Sequence, residues 1–289
     1  MKTSSVIAGC MRWGTWGANF STQDYTTIIQ QCVDNGITTF DHADIYGHYT
    51  TEAAFGKALI VNPSLRKDIQ LITKCGIQMP AENRPDNIIK SYNTSAKHII
   101  SSVERSLKNL GTDYIDCLLI HRPDSLLNAE EVAKAMEGLI QYGKVLEFGV
   151  SNFLPHQSAL LQQHIKLAYN QIEISLTNTA SLSDGTLEFA MQHGTGIMVW
   201  SPMGKGLFAG EHPKKEALNN AFNQLSEKYN CLPSQIPIAW INQLPCKPIC
   251  VTGSSKIERI KEAKDALNIS LERQDWYLLL EIANGKEVA

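Results

Sequence analysis

Short apolar runs alternate with longer amphipathic stretches along the whole chain, and this alternation constrains the fold more than any other feature. Each run is rich in the β-branched and large apolar residues that suit a buried strand. The eight runs are Val6–Met11, Thr38–Asp41, Gln70–Lys74, Tyr114–Ile120, Leu146–Val150, Leu167–Asn170, Ile197–Trp200 and Pro248–Val251. Strands that alternate with helices in this way require right-handed crossovers and a parallel sheet. Eight such units without a long linker predict an α/β fold, the closed (β/α)8 TIM barrel.

The stretches between the runs carry helical patterns and end at residues that commonly stop helices. The predicted helices are Tyr25–Asn35, Glu52–Ile60, Ala96–Leu110, Ala129–Tyr142, Pro155–His164, Thr186–His193 and Lys215–Tyr229. Gly36 and Gly143 stand where left-handed C-caps are expected, and Pro155 suits the first turn of a helix. A further helix, around Gln274 to Ala283, is predicted in a short tail from about residue 267. Without a repeat or a shift in composition, residues 1–289 are predicted to form a single domain.

Two connections are longer than the others, Ile77–Asn93 and Pro202–Lys215. The second is rich in glycine and lysine: Gly204, Lys205, Gly206, Gly210, Lys214 and Lys215. A long connection of this composition predicts a mobile loop that covers a ligand.

The balance of charged residues excludes one large class of partner. The chain has 26 Lys and Arg against 29 Asp and Glu, and the resulting net charge of −3 gives no sign of nucleic-acid binding. The N-terminus lacks the apolar core of a signal peptide, and no run reaches membrane-spanning length. Seven cysteines without regular spacing predict free thiols, no metal site and a reducing, cytoplasmic location.

Several predicted strands end at a polar residue that a buried strand does not require. Asp41 ends the second run, Tyr46 follows five residues later, Lys74 ends the third run and His121 follows the fourth. Taken singly, each has a structural explanation: a cap, a packed aromatic, a lysine that reaches the surface and a loop histidine. The C-terminal ends of all strands of a TIM barrel surround one mouth, so the four side chains are expected to meet there.

A phenol, an ammonium, a carboxylate and an imidazole in one site suit proton transfer to a carbonyl oxygen. A phenol with a pKa of about 10 is a weak acid, and a neighbouring ammonium lowers that pKa. A carboxylate keeps the ammonium charged and oriented, since an unpaired buried charge is costly. A neutral histidine can hydrogen-bond to the carbonyl oxygen and align it. The set predicts proton donation while the carbonyl carbon accepts a hydride.

These motifs, in this order, resemble those of the aldo-keto reductase family. DHADIYG carries the family's Asp and Tyr as Asp41 and Tyr46, LITKCG its Lys as Lys74, and DCLLIHRPD its His as His121. GKVLEFGVSNF, YNQIEIS and VWSPMGKGLF are similar to the family's segments at strands five, six and seven. The resemblance covers most of the chain. It implies reversible reduction of aldehydes or ketones to alcohols, with Tyr46 as general acid and base.

The resemblance also implies a set of cofactor-binding residues. Ser151, Asn152 and Gln171 would hold the nicotinamide carboxamide. Trp200, where the family more usually has Tyr, would stack on the nicotinamide ring. The other members lie after the first strand, along the pyrophosphate path and at the adenosine end: Arg12, Ser201, Met203, Gly204, Ser254, Lys256, Arg259 and Glu262.

The segment VTGSSKIERIKEA resembles the family's site for the 2′-phosphate of adenosine. Ser254, Lys256 and Arg259 are the candidate phosphate ligands, because a helix N-terminus favours anions. Glu262 matches a position that contacts adenine. Gly253 stands where the family often has Lys, but two positive side chains remain. The expected cofactor is therefore NADP(H) rather than NAD(H).

Two other functions remain open from the sequence. Lys74 could act as the Schiff-base nucleophile of an aldolase-like barrel, although this leaves Tyr46 and Gln171 without a role. The chain could also be an NADP(H)-binding regulatory barrel with little turnover, a use that the same family fold has in ion-channel partners. The expected partner is a small-molecule carbonyl substrate, and a monomer or weak dimer is predicted.

The outer pocket is less well specified. Trp13, Tyr49 and the connection Ile77–Asn93 are expected to line it. Arg12 and Arg122 near the mouth could attract a carboxylate or form structural ion pairs. The short tail predicts an open pocket with loose specificity.

Overall fold

The computed structural model describes residues 1–204 and 212–288. Its strands are β1 (Val6–Gly9), β2 (Thr39–Asp41), β3 (Gln70–Cys75), β4 (Ile77–Gln78), β5 (Ser91–Tyr92), β6 (Ile115–Ile120), β7 (Val145–Ser151), β8 (Tyr169–Glu173), β9 (Gly196–Trp200) and β10 (Ile249–Thr252). Its helices are α1 (Thr22–Asp34), α2 (Tyr46–Tyr49), α3 (Thr51–Val61), α4 (Leu65–Asp68), α5 (Ala96–Leu110), α6 (Ala129–Gln141), α7 (Pro155–Gln162), α8 (Thr186–His193), α9 (Lys215–Tyr229), α10 (Ile236–Asn242), α11 (Ile257–Asp265) and α12 (Arg273–Asn284). The loop expected to cover a ligand includes Lys205, Gly206 and Gly210, which lie outside the described residues.

Eight parallel strands close into a barrel in the order β1, β10, β9, β8, β7, β6, β3, β2. The strands pair in parallel: Gly9 is opposite Asp41 between β1 and β2, and Lys74 is opposite Leu119 between β3 and β6. Every one of the eight apolar runs overlaps a barrel strand. The predicted (β/α)8 barrel is confirmed. Its C-terminal rim is therefore where the polar strand-end residues are brought together.

Several local features differ from the predicted elements, and the short helices α2 and α4 are among them. The run Val6–Met11 is a strand only as far as Gly9, because the chain then enters a 3-10 turn over Cys10–Arg12. The connection Ile77–Asn93 contains the small antiparallel hairpin of β4 and β5, which stands above the rim. Helix α10 was not predicted, because its sequence IPIAWIN is apolar on nearly every face and has no helical period.

Apolar side chains pack on both faces of the barrel strands. The inner cluster comprises Ile7, Ile72, Cys117, Leu119, Met198 and Val251. Their strand neighbours point the other way and pack against the surrounding helices; Val6 and Ala8 flank Ile7 in this manner. The interior is thus a packed core that supports the rim from below, and the barrel has no pore.

Caps, a close helix contact and a docked tail complete the fold. Gly36 and Gly143 both adopt a φ of +68°, as their C-cap positions required, and Pro155 is the first residue of α7. A Cβ on Gly56 would lie 2.0 Å from the carbonyl oxygen of Asn109, so this glycine allows α3 to pack directly on α5. The tail forms the predicted helix as α12. It docks on α10 through Trp276, whose ring stacks 5.0 Å from that of Trp240.

Candidate active site

The four predicted catalytic side chains lie together at the C-terminal rim of the barrel. Asp41 is the last residue of β2, Lys74 is next to the last in β3, and His121 directly follows β6. Tyr46 begins α2, in the connection that leaves β2. All four residues are at most 9% exposed. Any charge among them must therefore be neutralised by protein groups rather than by water.

The ammonium of Lys74 is the centre of this arrangement. Lys74 Nζ lies 2.7 Å from both carboxylate oxygens of Asp41, 2.8 Å from the carbonyl oxygen of His42 and 3.2 Å from the hydroxyl of Tyr46. Gln171, from β8, donates its amide to Asp41 Oδ1 over 2.7 Å. The carboxylate is thus held by two partners. The ammonium in turn is fixed against the phenol oxygen.

Burial and charge act in opposite directions on the pKa values of this pair. Burial raises the pKa of Tyr46 above its usual value, and the charge of Lys74 only reduces that rise. Burial alone would lower the pKa of Lys74, but the attraction of Asp41 and Tyr46 raises it instead. Lys74 thus lowers the pKa of Tyr46 as predicted, but the net shift is upward because desolvation of the phenolate is the larger effect. At neutral pH Tyr46 holds its proton and Lys74 its charge.

His121 faces the phenol across the rim. The rings of His121 and Tyr46 meet edge to face with centroids 6.1 Å apart. The backbone amide of His121 donates to the carbonyl oxygen of Cys75 over 2.8 Å, which fixes the residue to the end of β3. Its Nδ1 is buried and has no partner within the described residues. Burial, and then the charges of Lys74, Arg122 and Lys90, hold the pKa of His121 well below its usual value, so the ring is neutral.

A chain of hydrogen bonds joins the residues predicted to hold the nicotinamide. Ser151 Oγ donates to the carbonyl oxygen of Gln171 over 2.7 Å and accepts from Asn152 Nδ2 at 2.7 Å. Asn152 Oδ1 accepts from the indole nitrogen of Trp200 at 3.0 Å. Asn152 and Ser201 adopt positive φ angles of 63° and 52°. These bonds fix the direction of the Trp200 indole before any ligand binds.

Two continuous cavities run along the rim and past α11. The first, of about 430 Å³, is bordered by these residues of the set: Asp41, Tyr46, His121, Ser151, Asn152, Gln171, Trp200 and Ser201. The second, of about 610 Å³, is bordered by these: Ser201, Met203, Gly204, Ser254, Arg259 and Glu262. Ser201 and Gly253 border both cavities, so the two adjoin at these residues and are together called the channel. A long channel with an amide-binding set at one end and a cation at the other fits a dinucleotide.

The far end of this channel is built around the start of α11. Ser254 lies before the helix, and its carbonyl oxygen accepts a hydrogen bond of 2.9 Å from the indole of Trp13. Its hydroxyl accepts from the backbone amide of Lys256 at 3.1 Å. Arg259 is exposed in the first turn, and Glu262 Oε2 accepts from the hydroxyl of Ser234 at 3.2 Å. Arg259 and Glu262 thus form part of the wall of the second cavity, whereas Lys256 is exposed and is not part of that wall.

Some predicted pocket residues lie elsewhere. Trp13 does not line the pocket: it is fully buried and packs against Phe40 and Phe55, with ring centroids 6.0 and 6.4 Å away. Arg12 is exposed in the 3-10 turn and borders neither cavity. Tyr49 is also absent from the wall; its hydroxyl accepts from the backbone amide of Met79 at 2.8 Å and so braces the hairpin.

Trp16 is a residue of the outer pocket that was not predicted, whereas residues of the connection Ile77–Asn93 line the pocket as expected. Trp16, three positions beyond Trp13, borders the first cavity, and its ring lies 6.1 Å from that of Tyr46. Met79, Lys90 and Tyr92 reach the same cavity from the hairpin. The length of the connection Ile77–Asn93 was the only sequence signal for these three.

Comparison with known proteins agrees with this geometry. The model of the Aldo/keto reductase family matches residues 5–284. The chain belongs to this family. The chain is 41% identical over 292 residues to the 6-dehydroglucose reductase of Agrobacterium fabrum, and the match covers 100% of this chain and 97% of the relative. It is 43% identical over 289 residues to oxidoreductase YdhF of Escherichia coli, covering 99% and 95%.

A solved structure resembles the fold of the aldo/keto reductase. The glycerol dehydrogenase AKR11B4 from Gluconobacter oxydans matches with a TM-score of 0.85 at 24% identity, covering 98% of this chain and 92% of its own. At this identity the match supports the barrel alone. The match confirms that the described strands and helices follow a known (β/α)8 architecture.

The aldo/keto reductase is an enzyme that transfers a hydride between a nicotinamide cofactor and a carbonyl compound. The regulatory alternative is not favoured, because the relatives at 41–43% identity carry the names of oxidoreductases. The Schiff-base alternative conflicts with the raised pKa of Lys74, since a nucleophilic amine must lose its proton.

Two further observations concern the described part of the chain. It contains no group of three or more His, Cys, Asp or Glu side chains that could hold a metal ion. None of its helices is long and apolar enough to cross a membrane.

Proposed function

We propose that the chain reduces an aldehyde or ketone with NADPH and that Tyr46 gives the proton to the carbonyl oxygen. The observation that carries this proposal is the position of Lys74 Nζ, 2.7 Å from Asp41 and 3.2 Å from the Tyr46 hydroxyl. Negative charge that develops on the phenol oxygen as the proton leaves is stabilised by this fixed cation. Asp41 keeps the cation charged and oriented.

His121 acts on the other side of the carbonyl oxygen. Its ring is neutral, since burial and nearby cations lower its pKa, so it donates a hydrogen bond without competing as an acid. The edge-to-face contact with Tyr46, with ring centroids 6.1 Å apart, supports a position for the carbonyl oxygen between the two side chains. A carbonyl oxygen that accepts from both is aligned for protonation.

The remaining residues of the set hold the cofactor, which supplies the hydride when bound. Gln171 Oε1, Asn152 and Ser151 would recognise the carboxamide, and the Trp200 ring would stack on the nicotinamide. Backbone groups around Ser201, with Met203 and Gly204, line the pyrophosphate path. These assignments are supported by the shared cavity wall and by the hydrogen bond that holds the Trp200 indole. Arg12, exposed and outside both cavities, has no comparable support.

The preference for NADP(H) follows from charge at the start of α11. Arg259 borders the second cavity, and Lys256 is exposed directly before the helix. A phosphate bound there is favoured by both cations, by the Ser254 hydroxyl and by the positive end of the helix. Glu262, on the same wall, is suited to contact adenine. Among the described residues, no heavy atom beyond its chain neighbours lies within 4 Å of a Cβ built on Gly253, which supports space for the nucleotide there.

The proton donor is tested with Tyr46→Phe, which removes one hydroxyl and keeps the ring. Carbonyl-dependent NADPH oxidation should fall by about two to four orders of magnitude, while NADPH binding measured by protein fluorescence is retained. Tyr142→Phe is the matched control, because Tyr142 is 80% exposed and remote from the rim in the fold. Full activity in Tyr46→Phe would disprove the assignment.

The phosphate site is tested with Arg259→Ala. The KM for NADPH should rise by about tenfold or more, and the KM for NADH should change little. Lys261→Ala removes an exposed charge two residues later in α11 and serves as control. Equal effects of Arg259→Ala on both nucleotides would contradict the site.

We further propose that the chain works as a monomer or weak dimer in the cytoplasm. All seven cysteines are free thiols, which suits a reducing compartment. Light scattering at several concentrations measures the oligomeric state, and a stable higher assembly would contradict the proposal.

A further inference from the structure

The substrate cavity carries an excess of positive charge. Two cationic side chains, Arg122 and Lys90, border the first cavity of about 430 Å³. Within the described residues, the only carboxylate on that wall is Asp41. Both of its oxygens are already held by Lys74, and one also accepts from Gln171. The charge of Asp41 is thus neutralised locally, and the two cations face the cavity without an opposing charge there.

Arg122 is held in place by an aromatic surface rather than by an acid. It follows His121 at the end of β6, and its guanidinium carbon lies 5.5 Å from the centre of the Trp200 ring. Throughout residues 1–204 and 212–288, no ion pair joins Arg122 to a carboxylate. An arginine that lies over a ring keeps its planar fork of N–H donors for an oxyanion. Its partial burial strengthens such a bond.

Lys90 reaches the same cavity from the hairpin side. It immediately precedes β5, and the pairing of Ile77 with Tyr92 fixes that end of the connection above the rim. Lys90 is exposed, and it too is outside every ion pair among the described residues. Its charge is close enough to the reaction centre to contribute, with Arg122, to the lowered pKa of His121. The field of both cations therefore acts where the carbonyl binds.

We propose that the substrate carries a carboxylate or a comparable compact anion, which Arg122 and Lys90 bind while its carbonyl meets Tyr46 and His121. This inference rests on the proposed function of the same site. Between the anion and the carbonyl, the wall is apolar: Met11, Trp16, Ile45, Ile77 and Met79 border the cavity. A short aliphatic chain or an aromatic ring fits that stretch. Arg122 and Lys90 act here as specificity-determining residues.

A pair of aldehydes tests the proposal: 4-formylbenzoate and its methyl ester share the ring and the reacting group and differ in charge. With NADPH at saturation, the wild type should show a kcat/KM for the acid about tenfold or more above that for the ester. Arg122→Gln should lower this acid-to-ester ratio by about tenfold, mainly through the KM of the acid. Lys90→Gln, at an exposed position, should lower it by about threefold.

Charge and fold are controlled separately. Arg273→Gln and Lys97→Gln remove the same charges from exposed positions outside the cavity wall. Arg122→Lys keeps a cation and should recover part of the ratio, which excludes a folding defect as the cause. The KM of the acid should rise with ionic strength while that of the ester stays constant.

Each other outcome has a defined meaning. If the acid-to-ester ratio is the same in the wild type, Arg122→Gln and Lys90→Gln, the substrate inference is overturned while the reductase function stands. If Arg122→Gln instead raises the KM for NADPH and leaves the ratio unchanged, Arg122 serves the cofactor and the inference is again overturned. If the wild type reduces neither aldehyde, the proposed function fails, and the inference falls with it.

Discussion

His42 gives the protein a specific sensitivity to acid. The residue is 0% exposed, and neither nitrogen of its ring has a hydrogen-bond partner within the described residues. One edge of the ring meets Phe55 at a centroid distance of 4.5 Å. Burial, and then the charge of Lys74, lower the pKa of His42 from 6.5 to about 3. The neutral ring is thus the only form that the fold accommodates near neutral pH.

The size of the effect follows from this difference in pKa. As pH falls below 6.5, the unfolded chain binds a proton at His42 that the folded chain does not bind until pH reaches about 3. The stability contributed by the neutral ring is complete above pH 6.5 and is lost as pH falls through this window. Each pH unit costs about 1.4 kcal/mol, so the loss at pH 5 is about 2 kcal/mol.

The perturbation that isolates this contribution is His42→Phe, which keeps an aromatic ring against Phe55 and cannot titrate. Urea unfolding is followed by circular dichroism and by tryptophan fluorescence at pH 7.5 and at pH 5.0, and coincident midpoints establish a two-state transition. Between these pH values the wild type should lose about 2 kcal/mol more stability than His42→Phe. The other titrating groups, His121 included, are present in both proteins and cancel. His156→Phe replaces an exposed histidine of α7 and is the control.

An equal loss of stability in the wild type and His42→Phe would refute the reasoning. Phenylalanine cannot titrate, so an equal loss would mean that His42 contributes nothing to the acid sensitivity. A smaller loss in the wild type would reverse the sign of the linkage. Either result would mean that the folded protein binds the proton at His42.

Two other sets of variants test the ion pair of Lys74 with Asp41 and the close contact at Gly56 through the stability of the fold. Lys74→Met should destabilise the fold by about 3–5 kcal/mol, because Asp41 is then left as a buried charge without its cation. In urea unfolding, the double variant Lys74→Met, Asp41→Asn should recover part of this lost stability. Equal stability of the single and double variants would contradict that explanation. Gly56→Ala should cost about 1–3 kcal/mol, since its Cβ would overlap the carbonyl of Asn109, whereas Gly138→Ala, whose Cβ would meet no atom within 4 Å, should not destabilise; similar thermal midpoints would contradict the close contact.

The barrel could be predicted because its signal is repeated. Each apolar run is short and flanked by turn residues, so eight weak indications agree on one architecture. The positions of Asp41, Lys74 and His121 followed from the same repetition, since polar residues at strand ends share one rim. Helix α10 was not predicted, because a segment that is buried on nearly every face has no hydrophobic periodicity from which a helix can be recognised.

One side of the outer pocket could not be predicted, for a different reason. Trp13 and Trp16 are separated by two residues and have equal apolar character, yet the first is enclosed by Phe40 and Phe55 and the second borders the cavity. Both follow the 3-10 turn at Cys10–Arg12, and nothing in the composition indicates that turn. The net rise in the pKa of Tyr46 could not be predicted either, because the extent of its burial is a property of the fold alone.

The hydrogen bond between Gln171 and Asp41 joins β8 to β2, which stand on opposite sides of the closed barrel, four strands apart in either direction. The side chains proposed to transfer the proton come from the first half of the chain, and Trp200, which we propose stacks on the nicotinamide, comes from the second. A half-barrel would contain either the proton-transfer side chains or Trp200, but not both. Activity therefore requires the completely closed barrel. A chain that stops halfway through folding cannot oxidise the reduced cofactor in a futile reaction.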